Sequence, residues 1–198
     1  MVPARLSTLC VYCGSSTGDD PAFADAASAL GRVLVARGIG LVYGGGHVGL
    51  MGVLADAVLA AGGEAHGVIT RTLAEREVAH ERLTSLQVVE TMHERKARMS
   101  ERADAFVMLP GGYGTLDEFF EAVTWTQLGI HTKACGVLNV DGFYDALAAL
   151  LGHAAHEGFI RPAHRGLVIV EPDPDALLDA LERWVPVSAD KLLDRTDR

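Results

Sequence analysis

No stretch of this sequence holds the roughly 18 apolar residues in a row that a membrane-spanning helix requires, so no helical membrane protein is expected. Met1 to Thr8 likewise lacks the apolar run of a secretory leader, which leaves the cytoplasm as the expected compartment. Cysteine is scarce. Three cysteines cannot all pair with one another, and a chain of 198 residues does not need disulfides to fold. Basic charge is in short supply too: 17 Lys and Arg stand against 26 Asp and Glu, a formal net charge of −9. That balance gives no footprint for long nucleic acid. It leaves room for a small anionic ligand, because backbone amides and a few arginines hold one phosphate. Internal repeats, low-complexity runs and linkers are also missing.

What is there is a globular composition, 49% hydrophobic and 22% charged, read as one domain over residues 1–198 with a weakly ordered tail from about residue 187. Apolar runs alternate with segments of helical spacing from end to end. Strands are expected at Leu6 to Cys13, Ile39 to Tyr43, Glu64 to Ile69, Leu86 to Val89, Ala105 to Leu109, Cys135 to Asn139 and Leu167 to Val170. Helices are expected at Pro21 to Ala36, Val48 to Ala61, Met92 to Arg102, Thr115 to Leu128, Phe143 to Glu157 and Pro174 to Trp184. The strands are apolar throughout and are not patterned in twos, as in a parallel sheet covered on both faces. The expected fold is therefore α/β: a doubly wound, Rossmann-like, mostly parallel sheet with helices on both faces. Thr70 to Ser85 reads as the longest polar connection.

Ligands of open α/β sheets bind at the carboxyl ends of the strands. Three glycine-rich turns fall there: Gly14-Ser15-Ser16, the stretch Gly44-Gly45-Gly46 to Gly52, and Pro110-Gly111-Gly112-Tyr113-Gly114-Thr115. Glycine admits a phosphate close to the backbone, and the helix that follows presents free N–H groups and a positive dipole end. Thr115 adds a hydroxyl and is a candidate helix cap. Ser15, Gly45, Gly46, Gly111, Gly112, Tyr113, Gly114 and Thr115 are accordingly expected to hold substrate. Gly44, Gly46 and Gly49 also spell the dinucleotide pattern G-x-G-x-x-G. However, that pattern follows the second strand, and Glu64, twenty residues beyond Gly44, opens its strand instead of closing it. A NAD or FAD enzyme is not favoured.

Met92-His93-Glu94-Arg95-Lys96, followed by Pro110-Gly111-Gly112-Tyr113-Gly114-Thr115-Leu116-Asp117-Glu118, resembles the paired signature of the LOG family, M-H-x-R-K and P-G-G-x-G-T-x-x-E. Gly44 to Gly52 matches the family's other glycine turn, and Thr124 to His131 continues the likeness, which runs from about Leu6 to Val170. The resemblance implies a Rossmann-like homodimer that hydrolyses N6-substituted adenosine monophosphates to free base and ribose 5-phosphate, with no cofactor and no metal. It implies Arg95 and Glu118 as the catalytic pair, and Glu77 as a substrate-binding residue. Lys96 is expected to assist with substrate or with a neighbouring carboxylate.

The chemistry suits these residues. Breaking an N-glycosidic bond builds positive charge on the ribose, and a carboxylate near C1′ stabilises it or activates water. Arg95 offers a permanently charged fork of donors that can orient Glu118, bind a ribose oxygen or stabilise the departing adenine. Glu118 is placed at the first turn of its helix, with Asp117 as a partner for the helix dipole. Arg98, three residues from Arg95, is the surface-pairing alternative. Many relatives carry the label lysine decarboxylase, but Schiff-base chemistry has only Lys96, Lys133 and Lys191 to draw on. The remaining alternative is a non-catalytic nucleotide sensor, which needs the glycine turns but not Arg95 and Glu118.

Three further patterns read as structure. Cys10 and Cys13 lie in one strand, where their side chains point to opposite faces. His153 and His156 share a helical face with no third ligand. The stripe Phe119, Phe120, Val123, Leu128 is core, but Ala122, Trp125 and Ile130 make its helix apolar around most of its circumference, which suits cover by a second subunit.

Overall fold

The computed structural model describes residues 5–77 and 79–186. The expected tail and Lys191 lie outside the described residues. Strands β1 (Thr8–Tyr12), β2 (Gly40–Tyr43), β3 (Ala65–Thr70), β4 (Ser85–Val89), β5 (Ala105–Met108), β6 (Ala134–Leu138) and β7 (Val168–Glu171) form one seven-stranded sheet. Its order is β4-β3-β2-β1-β5-β6-β7, and every pairing is parallel. The chain winds outward from β1 to β4 and then returns to the other side of β1 as β5. The switch point of the doubly wound sheet therefore lies between the C-terminal ends of β1 and β5.

Helices α1 (Pro21–Ala36), α2 (Gly49–Ala60) and α7 (Pro174–Arg183) cover one face, where Leu9, Val11, Leu41 and Tyr43 pack with Leu30, Leu34, Leu54 and Leu177. Helices α4 (Met92–Arg102), α5 (Tyr113–Gln127) and α6 (Asp145–His156) cover the other, where Cys10, Tyr12, Val42 and Phe106 meet Met99 and Phe119. Consecutive residues of β1 thus feed different cores, which is why the strand is apolar without alternation. Cys10 and Cys13 fall in opposite cores as free thiols. Burial pushes both thiols up, away from the reactive thiolate.

The sequence reading misses one helix. The polar connection after β3 contains α3 (Arg71–Glu77), whose start is fixed by the Thr70 hydroxyl accepting from the Leu73 N–H at 3.3 Å. Two turns with no fully buried residue among the described side chains leave no apolar stripe to read. Two helix boundaries also shift. Helix α5 starts at Tyr113, with Gly112 as its uncapped N-cap, so Thr115 lies inside the helix and does not cap it. A 3-10 turn at Val140–Gly142 delays α6 to Asp145.

Helix α6 has no buried residue. Between it, α5 and β7 runs a groove of about 540 Å³ lined by Phe120, Val123, Leu151, Ile160 and His164. His164 is only 5% exposed, yet neither ring nitrogen has a hydrogen-bond partner among the described residues.

Candidate active site

The three glycine turns meet at the switch point. The Gly14 N–H donates to the Pro110 carbonyl at 3.0 Å, and the Gly14 carbonyl accepts from the Leu50 N–H at 3.0 Å. A cleft of about 300 Å³ opens there, walled by the Gly14–Gly18 and Pro110–Gly112 backbones with Leu50, Phe23 and Phe143. Ser15, Gly111 and Gly112 line it together. Gly49 has a φ of +60°, and a Cβ there would overlap the Ser15 and Ser16 backbone, so glycine is what lets the first two turns pack. The N-terminus of α5 faces outward from Gly112 through Tyr113, which is almost fully exposed, and Gly114. Thr115 is buried, its hydroxyl packed beneath Gly111.

Gly45 and Gly46 stand apart from this cleft. The Gly45 carbonyl accepts from the His80 N–H at 3.1 Å, and Gly46 pairs with Ala79 in an isolated antiparallel bridge. His80 is held in turn by Asp56 at 3.2 Å, and its Nδ1 accepts from the Arg82 N–H at 3.2 Å. These glycines pin the segment after α3 to the sheet. Glu77 closes α3, and its side chain lies outside the described residues.

Arg95 and Glu118 come together on the α4–α5 side of the sheet. Helix α4 begins at a Thr91 cap that accepts from the Glu94 N–H at 3.1 Å, which turns Arg95 inward. Its guanidinium is spent on three acceptors: the Val68 carbonyl at 2.9 Å, the Gly44 carbonyl at 3.2 Å and Glu118 Oε1 at 2.5 Å. Only 5% of Arg95 is exposed. A Cβ at position 44 would overlap this guanidinium, so the glycine makes the passage. Glu118 sits in the second turn of α5, not the first, because the helix begins at Tyr113. Burial pushes its carboxyl above its ordinary value, against the pull of Arg95. A carboxylate held by one buried cation, with its second oxygen uncommitted among the described contacts, can stabilise a cation or accept a proton.

Beside this pair, Lys96 Nζ donates to Asp117 Oδ2 at 3.1 Å and lies 2.8 Å from Glu121 Oε2. Asp117 is thus an ion-pair partner one turn into the helix, and not a partner of the first-turn amides. Burial works against the Lys96 ammonium, but its bonds to Glu121 and Asp117 outweigh that and hold its pKa above the ordinary value. Lys133 donates to the Ser100 carbonyl at 2.6 Å. Neither lysine is presented as a free amine. Arg98 bonds Glu101 at 2.9 Å on the surface, and His153 and His156 are exposed.

The sequence reading missed the Gly44 and Val68 carbonyls, Glu121, and the Asp56–His80–Arg82 pin. Only Glu121 left a trace, at i+4 from Asp117.

The profile of the family described as "Possible lysine decarboxylase" matches residues 51–181. A protein of Oryza sativa subsp. japonica named "Probable cytokinin riboside 5′-monophosphate phosphoribohydrolase" is 52% identical over 184 residues, covering 93% of this chain and 81% of its own length. A cytokinin riboside 5′-monophosphate phosphoribohydrolase of Arabidopsis thaliana is 49% identical over 183 residues, covering 92% of this chain and 86% of its own. Among solved structures, the molybdenum cofactor binding protein of Rippkaea orientalis superposes with a TM-score of 0.67 over 90% of this chain and 97% of its own. At 19% identity, that likeness is one of fold alone.

Proposed function

The chain belongs to the LOG family of cytokinin riboside 5′-monophosphate phosphoribohydrolases, and on that premise we propose that it hydrolyses the N-glycosidic bond of adenosine 5′-monophosphates, N6-substituted ones included. The products are the free base and ribose 5-phosphate. The observation that carries the reading is the buried Arg95–Glu118 pair, one turn into the helix that opens at the switch-point cleft.

The 5′-phosphate rests on the turn from Gly111 to Thr115, where Gly112 leaves the first N–H groups of α5 free of any side-chain cap. As the bond from C1′ to the base nitrogen breaks, its electron pair leaves with the adenine and positive charge develops on the ribose. The Glu118 carboxylate faces that charge and takes a proton from the water that attacks C1′, while the departing adenine takes up a proton from solvent to leave as the neutral base. Arg95 keeps Glu118 ionised despite its burial and fixes its direction. No step calls on a metal or an organic cofactor.

The chain acts as one nucleotide-binding domain and assembles as a homodimer. A second copy covers the groove between α5, α6 and β7, whose apolar walls and helix without a buried residue suit a protein surface. No helix among the described residues is long and apolar enough to cross a membrane. Three free, buried thiols suit a reducing compartment such as the cytoplasm.

The test is to incubate purified protein with AMP and N6-prenyl-AMP, without added metal or cofactor, and to chromatograph the released base. Release of adenine or its N6-substituted form is expected. Intact nucleotide across the panel, with binding retained, would overturn the hydrolase in favour of a nucleotide sensor.

A further inference from the structure

We propose that Lys96 is a positioning residue of this site: it ties α4 to α5 through Asp117 and Glu121, so setting where the Glu118 carboxylate stands, and it does not hold the substrate. The proposal rests on Glu118 being the reacting carboxylate.

Helix α5 carries Asp117, Glu118 and Glu121 within its second and third turns. Asp117 and Glu121 are one turn apart, where like charges repel along a helix. Helix α4 answers with two consecutive cations. Arg95 runs beneath the sheet edge to Glu118, and Lys96 reaches the two carboxylates on either side of it in sequence. Bridging both residues fixes the rotation of α5 about its axis as well as its distance from α4. Glu118 lies between the two fixed points, so its direction follows from theirs.

Two features argue against substrate binding by Lys96. Its side chain is only 10% exposed, and two of its three donors are taken by carboxylates. One cation against two anions also leaves this cluster with a net charge of −1, which repels a phosphate instead of attracting one. The neighbouring turn from Gly111 to Thr115 has the free amides that Lys96 lacks.

The charged groups that act on Glu118 are Arg95 and Lys96 of α4 and Asp117 of the same helix. Cys10, Tyr12 and Cys13, from β1 and its end, face it as neutral groups whose pKa values its charge pushes further up. Of these, Arg95 and Lys96 lower the Glu118 pKa. Removing Lys96 therefore raises it further.

The test uses the full chain and AMP. Lys96→Met should lower kcat by about 10-fold to 10²-fold, the range for a small misplacement of a reacting group, with KM changed by less than about threefold. Lys96→Arg, which still bridges two carboxylates, should recover most of the rate. In an Asp117→Asn/Glu121→Gln background, Lys96→Met should cost little more, because the groups it acts through are already silent. The proposal is overturned by a raised KM with kcat retained, or by an undiminished loss in that background. Carbon-13 titration of the Glu118 carboxyl gives a readout independent of turnover. Its pKa should rise in Lys96→Met, and an unchanged titration sinks the proposal even if AMP is not hydrolysed. Failure of the hydrolase reading shows separately, as normal turnover in Glu118→Gln or none in the wild type. Thermal melts of both Lys96 variants identify simple unfolding, in which case Lys96→Arg and the background series decide.

Discussion

The two halves of α5 face different problems. In the N-terminal half, Glu118 meets Arg95, Asp117 meets Lys96, and the amides before them are left open at a cleft. In the C-terminal half, Val123 lines a mainly apolar groove beside a buried histidine with no hydrogen-bond partner among the described residues. On the proposed reading the first half takes a small charged ligand: its cations are already matched, which leaves the phosphate to backbone N–H groups. On the same reading the second half meets a protein surface, because the groove is wide and its lining more apolar than polar. One helix would then carry both the proposed chemistry and the proposed dimer contact, and each half is expected to fail in its own way when changed.

The largest effect is expected in the polar half. Glu118→Gln keeps the shape but removes the charge and the basic oxygen, so turnover of AMP should fall by about 10²-fold or more. Nucleotide affinity, measured by calorimetry, should survive, because the proposed phosphate contacts are the backbone amides from Gly111 to Thr115 and not Glu118. Near-normal kcat would mean that another group carries the chemistry. The same carboxyl sets a pH dependence. It must be ionised to act and its pKa is raised by burial, so kcat should fall as pH drops through a value above the ordinary carboxylate range. A kcat profile flat down to pH 4.5 would contradict that.

Next is the phosphate. If the turn from Gly111 to Thr115 holds it, adenosine should be a poorer substrate than AMP by about 10²-fold or more in kcat/KM, since remote binding energy positions the reacting centre. Equal kcat/KM for nucleoside and nucleotide would break the assignment of the polar half to a phosphorylated ligand.

A smaller change should separate the apolar half. Val123→Asp places a charge in the groove wall without touching the Arg95–Glu118 pair. Light scattering at micromolar concentration should show the wild type as a dimer and the variant shifted toward monomer. A wild-type monomer would leave the groove without its proposed cover.

How far this contrast was legible in the sequence follows from what each feature is made of. The sheet was legible because β1, β2, β5 and β6 are buried on both faces and cannot be anything but continuous apolar runs. Arg95 and Glu118 were legible only through the spacing of two motifs, since nothing local marks residues 23 apart as partners. The Gly44 and Val68 carbonyls were invisible, because every residue has a carbonyl. The start of α5 was misplaced at Thr115 because Tyr113 and Gly114 make poor helix formers, yet the helix takes them in beside a buried Thr115. Helix α3 was missed because its described side chains are all exposed or partly exposed and leave no period to detect.

The smallest effect sharpens the comparison on α4, which supplies the cations. Arg95 and Arg98 are three residues apart, and sequence alone makes them near equals. In the folded chain Arg95 is 5% exposed with three acceptors, whereas the Arg98 side chain is 46% exposed and its Glu101 partner 61%. An exposed pair at i,i+3 is worth about 0.5 kcal/mol or less. Arg98→Ala should therefore leave kcat within about twofold and the melting temperature nearly unmoved, a surface substitution with no buried consequence. Arg95→Ala removes the partner of a buried carboxylate, a loss on the order of 3–5 kcal/mol when the remaining charge stays unpaired. Part of that cost is avoided if Glu118 takes up a proton, and that proton disables the same group for catalysis. Arg95→Ala should thus lower both stability and kcat, the kcat deficit shrinking as pH rises and Glu118 ionises again. Melting curves and kcat for the two variants, measured across pH, decide the matter. A larger loss at Arg98 than at Arg95 would show that the reacting carboxylate is held from the surface of α4, and the assignment of Glu118 would fall with it.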